Sequence, residues 1–471
     1  MSNAIVVSDL HLGDGDPDRD QWRADQQAAW ERLLRAAAPG GELGAGPVEM
    51  IVNGDSFDFL EAAPTLDDRT HTDADAGLAK VERIIAAHSQ WFAAMRAFLA
   101  APDRSVTFLI GNHDLELAFP AVRSRIRAAA MGSAGHSAGG AGRVRFCLAQ
   151  AYRPLPDVVI EHGCQVDPPN RIPSLWTGPD ASAIPADLEA DDVSPVAAPS
   201  WRDLPWGSRY YYDVLLPILR RFPYLEALLP SLPQSGVAGL LCRYVPDLVV
   251  AGVPRARALR DDPPDDPPDD PPDAPPADRA RPPAAGDDPA TLYAATLPDL
   301  VATQAMLLRR AGLTSPDPAD AARADAYTRA IHTALAGGDE LALLRAVFSL
   351  PRAPSGALPS LDAAAAALMV ERDPAARVAL IGHTHVEGLY TVPRPDGEHV
   401  TFINTGTWVS RLAAPDPATI DARTARWLRD PRAGPTPLTS AAIFAYAILR
   451  GRPGAPTVAS LHAVGDPAGP A

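Results

Sequence analysis

Cysteine is scarce in this chain. Three occur, Cys147, Cys164 and Cys242, an odd and small number that builds no disulfide framework and fits a reducing compartment. Long uninterrupted apolar runs are missing as well. The most apolar extended stretch, residues 236–253, carries Arg243, Pro246 and Asp247, which argues against a membrane span, though not against peripheral contact with a membrane surface. No charged segment followed by an apolar one precedes the first predicted strand, so no secretory signal is expected and the chain reads as cytoplasmic. Basic charge is also in deficit: 42 Lys and Arg stand against 58 Asp and Glu, a formal charge of −16. A nucleic-acid coat needs a basic surface, so no nucleic-acid partner is expected. Much of the acid lies in a few runs, which leaves room for a small basic pocket.

What is present is enough for two domains, or for one large domain with insertions: 471 residues, 46% of them hydrophobic. The apolar run Ala4-Ile5-Val6-Val7 predicts a buried strand, and it leads into Ser8-Asp9-Leu10-His11-Leu12-Gly13. After the acidic loop 14–20, Trp22, Ala29, Leu33 and Leu34 recur at helical spacing and predict a helix over 21–38, stopped by Pro39-Gly40-Gly41. A second strand, 48–52, runs into Asn53-Gly54-Asp55-Ser56-Phe57-Asp58. One long helix is predicted over 76–100. A third strand, 106–110, leads into Gly111-Asn112-His113-Asp114, and a helix is expected over 121–130. Apolar runs at 144–148 and 158–160 follow, the second ending in Glu161-His162-Gly163. The order strand, helix, strand, helix, strand is that of an α/β fold, in which ligands gather outside the carboxyl ends of the strands.

From about residue 171 the character changes. Residues 171–200 are rich in Pro, Ala and Asp and read as loop. Tyr210 to Leu232 and Gly236 to Val253 read as helices with proline breaks. Asp-Asp-Pro-Pro occurs three times in Asp261–Pro272, and with no residue there large enough for a core, 260–288 is expected to be a disordered or extended linker. Helices are predicted over 291–312, 317–336, 339–348 and 361–371. The organisation expected is therefore a discontinuous catalytic domain, residues 1–170 and 376–471, interrupted by a mostly helical insertion, 171–375. Sheet character resumes at Val378-Ala379-Leu380-Ile381, which feeds Gly382-His383-Thr384-His385, with further strands at 389–392, 400–403, 442–449 and 457–464 and a hairpin turn at Pro395-Asp396-Gly397.

Five polar clusters thus stand behind five apolar runs: Asp9-x-His11, Gly54-Asp55-x-x-Asp58, Gly111-Asn112-His113-Asp114, His162-Gly163 and Gly382-His383-x-His385. Singly, each is an ordinary loop cap. In this order the chain resembles the calcineurin-like metallophosphoesterases, the two-metal phosphoesterase superfamily, by motif over residues 4–170 and 376–410. The resemblance implies a β-sandwich flanked by helices and a dinuclear metal centre. Two divalent ions held about 3.5–4 Å apart can activate a water and grip phosphate oxygens, and a bridging carboxylate is needed to keep them so close. In the family the Asp of the second motif has that role, which maps to Asp55. The resemblance then implies Asp9, His11, Asp55 and His385 on one metal and Asp55, Asn112, His162 and His383 on the other. A mixed nitrogen and oxygen set without Cys suits Mn first, or Fe or Zn. Cys164, two residues from His162, reads as a structural thiol.

His113 is implied as the group that protonates or stabilises the leaving oxygen, a role imidazole suits because it titrates near neutrality. Asp114 is expected to orient its ring, and Asp58 to act behind the metal ligands. The glycines at 54, 111, 163 and 382 are expected to let backbone approach the metals. The reaction implied is in-line hydrolysis of a small phosphomonoester, phosphodiester or pyrophosphate by a metal-bridging hydroxide.

Within the superfamily, Ser-Asp-Leu-His-Leu and Gly-His-Thr-His are similar to the UDP-2,3-diacylglucosamine pyrophosphatase branch. That branch has Arg in place of His113 and a much shorter chain. The stretch Glu161-His162-Gly163-x-x-x-Asp167-x-x-Asn170 is similar to larger bacterial members with a helical insertion. Such an insertion is expected to act as a lid, with Arg202, Arg209, Arg220, Arg221 and Arg243 either contacting phosphate or paired with acids. Trp206 and Tyr210-Tyr211-Tyr212 would line a pocket or form the insertion's own core. Two other readings stand beside the hydrolase: a non-catalytic metal-binding scaffold whose insertion recruits a partner, and a nuclease. The scaffold normally requires a lost ligand, and here every position is filled. The acidic balance weighs against the nuclease.

Overall fold

The protein is described by a computed structural model covering residues 2–17, 20–62, 73–132, 142–172, 204–229, 232–252, 287–298, 318–349, 360–394, 396–452 and 454–464. The linker expected at 260–288 lies outside the described residues up to 286. So do Arg202, Pro395, most of 171–200, and 299–312 of the helix expected from 291. Thirteen strands are described: β1 (Ser2–Val7), β2 (Val48–Asn53), β3 (Arg104–Leu109), β4 (Val144–Cys147), β5 (Ala151–Tyr152), β6 (Val158–Glu161), β7 (Leu228–Leu229), β8 (Val378–Ile381), β9 (Gly388–Pro393), β10 (His399–Asn404), β11 (Leu412–Ala413), β12 (Ala445–Arg452) and β13 (Ala455–Ala463). The fold class is mixed α/β.

The chain divides into two compact units, one drawn from Met1–Ser208, Leu358–Ser410 and Ala442–Ala471, the other from Arg209–Ala357 and Arg411–Ala441. This departs from the division expected from sequence in three places, the first being that the first unit runs on to Ser208 rather than ending at 170. Helix Ser360–Arg372, read as the end of the insertion, belongs to the first unit. Residues 411–441, read as part of the catalytic domain, belong to the second. Composition could not show these, because the partners of each segment lie far away in sequence.

The first unit holds two mixed sheets, with strand orders β13-β12-β1-β2-β3-β4 and β5-β6-β8-β10-β9. Strands β1 to β4 run parallel in the first sheet, with β4 at its edge. In the second, β6, β8 and β10 run parallel, with antiparallel strands at both edges. Fully buried strands such as β8 read as unbroken apolar runs, as parallel strands covered on both faces do. Residues from one face of each sheet share a single hydrophobic cluster: Val6, Ile51 and Leu109 from the first, Ile160, Leu380 and Ile403 from the second. The other face of the second sheet is covered by helix Ser360–Arg372, whose Ala365, Ala366 and Met369 pack with Ala379, Ile381 and Phe402.

Beside the first sheet lie α1 (Ala24–Ala37), α2 (Ala74–Ala87), α3 (Ser89–Leu99) and α4 (Pro120–Met131). The single helix expected over 76–100 is two helices, broken at His88 (φ −108°, ψ 38°). The cause is tertiary: His88 Nε2 lies 2.8 Å from Asp20 Oδ2 and 3.0 Å from the Gly13 carbonyl, and these contacts draw the backbone out of helical geometry. Aromatic side chains fill this side of the unit. The Trp30 ring stacks on Trp91 with centroids 5.3 Å apart and meets Trp408 edge-on at 5.6 Å. Trp408 in turn donates from Nε1 to the Ala445 carbonyl at 2.8 Å, and its backbone N–H donates to the Asp9 carbonyl at 3.0 Å. The aromatic core therefore reaches the first polar loop directly.

The second unit is helical, as expected. Helices Gln234–Tyr244, Pro318–Gly337, Glu340–Phe348 and Ala422–Arg429 enclose a core that includes Leu240, Tyr293, Ile331, Leu344 and Leu428. The only sheet in it among the described residues is the short parallel pair β7 and β11. Tyr211 is buried here. Arg221 pairs with Asp430 at 3.8 Å, and Arg243 donates to the Gly338 carbonyl. No described helix is long and apolar enough to cross a membrane. Because Trp30 is fully buried between two indoles, Trp30→Ala is expected to lower the unfolding free energy by about 3–5 kcal/mol, measurable by urea denaturation followed by tryptophan-independent circular dichroism.

Candidate metal centre

Every polar cluster sits at the carboxyl end of a parallel strand. The loops after β1, β2 and β3 carry Asp9 and His11, Asp55 and Asp58, and Asn112 to Asp114. Those after β6 and β8 in the second sheet carry His162, His383 and His385. The loops are bound to one another through their backbones: Asp9 N–H donates to Gly54 O (3.2 Å), His11 N–H to Asp55 O (3.0 Å) and Gly382 N–H to His162 O (2.9 Å). Side chains from five separate segments are thereby brought to one place.

Five residues other than glycine have positive φ among the described residues: Asp9 (53°), His11 (48°), Asp55 (47°), His383 (65°) and His385 (61°). All five were expected as ligands. This left-handed region is disfavoured for residues with a Cβ, and such strain persists only where surrounding structure over-determines it. Asp9 and His11 both lie in left-handed turns beyond the end of β1.

The side chains form buried groups that could hold metal ions. Asp9, His11 and His385 offer donor atoms all within 4.8 Å of one another, and so do Asp55, His162 and His383. Asp55 Oδ2 lies 3.2 Å from His162 Nε2 and 3.9 Å from His11 Nε2, so it reaches toward both groups. His385 Nε2 is 3.1 Å from Asp9 Oδ1 and 3.2 Å from His11 Nε2. Asp9 Oδ1, Asn112 Oδ1 and His162 Nε2 are buried and make no aligned hydrogen bond with the protein. Buried polar atoms are normally satisfied. Asp9 Oδ1 and His162 Nε2, buried among carboxylates and imidazoles and of the ligand types expected, fit a divalent cation.

Close backbone approach is built in at two glycines. A Cβ on Gly54, whose φ is +75°, would lie 2.3 Å from His162 Nδ1, and a Cβ on Gly111 would lie 2.2 Å from Asp55 Oδ1.

A third group, His11, Asp58 and His113, surrounds the same place. Asp58 Oδ2 lies 3.2 Å from Nδ1 of both His11 and His113. This corrects the expectation for Asp114. Its carboxylate accepts the backbone N–H groups of Ser56 (2.9 Å) and Gly111, so it shapes the loops, and the ring of His113 is held by Asp58. The sequence carried no signal for this exchange, because Asp58 and Asp114 stand at equally plausible loop positions. Asp167 was quoted within a motif but given no role. The structure places its Oδ2 2.9 Å from His383 Nε2, where it also accepts a hydrogen bond from Asn170 Nδ2 at 2.6 Å. With Nε2 so held, Nδ1 is the nitrogen His383 has left for a ligand. His162 is oriented the same way, its Nδ1 2.9 Å from the Asn53 carbonyl.

Electrostatics follow from this crowding. Burial would raise the Asp55 pKa, but His162, His113 and His11 outweigh it and hold the carboxyl well below the usual range. Asp9 is lowered by His385 and His162 against the same burial, and Asp58 is lowered by His113 and His11. Burial would lower His162, yet the Asp55 and Asp9 carboxylates raise it to about 9. Asp114, buried and beside the Asp55 charge, is raised to about 7. No known protein-family model and no curated protein matches the chain.

A histidine must lose its proton before its nitrogen can take a cation. Because His162 binds its proton more tightly than an ordinary imidazole in the metal-free protein, affinity for Mn(II) is expected to rise from pH 6 to pH 8, with about one or more protons released per ion bound. Calorimetry in two buffers of different ionisation enthalpy measures the release, and a pH-independent affinity without proton release would contradict it.

Proposed function

We propose that the first unit is a metallophosphoesterase-type sandwich and that the protein is a hydrolase of phosphoric esters using two divalent metal ions. The observation that carries the reading is the coincidence of backbone strain with the expected ligands: the described non-glycine residues in left-handed conformation are all members of the expected set. The ions would supply Lewis-acid activation of a water and neutralise charge on phosphoryl oxygens.

In this reading Asp9, His11, Asp55 and His385 hold one ion, and Asp55, Asn112, His162 and His383 hold the other, with Asp55 shared. Asp58 holds Nδ1 of His113, and His113 would exchange a proton with the departing oxygen of the substrate. His113 is the more accessible of the two imidazoles on Asp58, at 14% side-chain exposure against 3% for His11. That suits a group which must meet substrate. Mn is the ion best suited to this nitrogen and oxygen set, with Fe or Zn as alternatives. The substrate is a small phosphorylated molecule.

A panel of p-nitrophenyl phosphate, bis-p-nitrophenyl phosphate and a pyrophosphate with Mn(II), Fe(II) or Zn(II) tests the reaction class. Absence of turnover with two ions bound would favour a metal-binding scaffold. Asp55→Asn is expected to remove tight binding of two ions and nearly all activity, and elemental analysis showing two tightly held ions in that variant would refute the shared-ligand role. His113→Ala is expected to retain both ions while lowering turnover by about 10²–10⁴-fold. Replacing the poor leaving group by p-nitrophenolate should recover much of that loss.

A further inference from the structure

A buried carboxylate outside the metal groups is bonded to the turn that carries two of them. Asp362 lies in the first turn of helix Ser360–Arg372 and is fully buried. An acid at such a position ordinarily faces the helix's own N–H groups. Here both carboxylate oxygens bond outside the helix. Thr384 Oγ1 donates to Oδ1 at 2.8 Å, and Asn404 Nδ2 donates to Oδ2 at 3.0 Å. Asn404 Nδ2 also lies 2.7 Å from Thr384 Oγ1, which closes a triangle.

Thr384 is the residue between His383 and His385, both of which are held at positive φ. The network continues to the first strand. Asn404 Oδ1 accepts the Gly406 N–H at 2.8 Å, and Gly406 O accepts from Ser8 Oγ at 2.9 Å, adjacent to Asp9. The far end of the same helix reaches another ligand loop, where Arg372 pairs with buried Glu161, the neighbour of His162. One helix therefore braces three loops of the centre.

We infer that Asp362 is a positioning residue that holds the His383-Thr384-His385 turn in its strained, ligand-presenting conformation. The inference rests on the metal-centre reading above. The placement makes little sense for stability alone. A fully buried carboxylate bonded to two neutral side chains is a poor choice for folding, and an apolar residue would avoid the desolvation it suffers. A site that must keep two histidines in left-handed turns gains from a rigid anchor between them.

The test is calorimetric titration of the metal-stripped full chain with Mn(II), together with thermal unfolding of the same metal-free samples. Asp362→Ala and Thr384→Val remove the clamp from its two sides. Each is expected to weaken Mn(II) binding by about 10–100-fold, the range found when partners that orient metal ligands are removed, while the melting temperature of the metal-free protein stays within a degree or two of the unmodified chain or rises. Wild-type Mn(II) affinity in both variants would overturn the positioning role. So would a loss of affinity accompanied by a large drop in metal-free melting temperature, since that is what a purely structural residue would produce. If the unmodified chain takes up no Mn(II), the metal-centre reading itself fails, and that outcome is distinct from either result with the variants.

Discussion

Two carboxylates, Asp9 and Asp55, are buried beside the imidazoles of His11, His162, His383 and His385. In the metal-free protein shared protons relieve this crowding. The histidines hold the carboxylates ionised, and the carboxylates hold His162 protonated. A divalent cation would resolve the same conflict by taking the place of those protons. The surrounding structure is arranged to keep these groups from separating, and the strained backbone is the clearest sign of it. Five left-handed residues are unfavourable individually, and they persist because the loops that carry them are bonded to one another and anchored below.

The anchoring comes from both sheets. Parallel strands deliver five loops to one edge of the first unit, three from one sheet and two from the other, and the shared apolar cluster holds the sheets in register. On one flank the Trp408 backbone N–H and the Thr407 hydroxyl both donate to the Asp9 carbonyl, which links the first ligand loop to the tryptophan-rich core. On the other, helix Ser360–Arg372 packs its apolar face on the second sheet and reaches the loops with its polar ends. The centre is thus gripped from two sides by elements that are themselves well buried.

The carboxylates around the site do different work despite equal chemistry. Asp58 bonds imidazoles, Asp114 bonds backbone N–H groups, Asp167 fixes one nitrogen of His383, and Asp362 bonds a hydroxyl and an amide. These differences set which nitrogen of His11, His113 and His383 a carboxylate holds, and therefore how each ring is oriented. His113 shares Asp58 with His11 but is the more accessible of the two.

The apolar runs before residues 8, 53, 110, 162 and 382 were enough to place the strands and the polar clusters behind them, because strand burial and turn chemistry are local properties. The residue types offered at positions 9, 11, 55, 112, 162, 383 and 385 were legible for the same reason. Other features depended on contacts between residues far apart in the chain. The break at His88 needs Asp20. The assignment of Asp58 rather than Asp114 to His113 needs the packing of two loops 55 residues apart. The transfer of Ser360–Arg372 to the first unit needs the outer face of the second sheet, and the left-handed turns need the backbone bonds between loops. By itself the sequence determined which side chains are offered at the strand ends. Only the tertiary structure decided which atoms face one another, because orientation is fixed by neighbours from other parts of the chain.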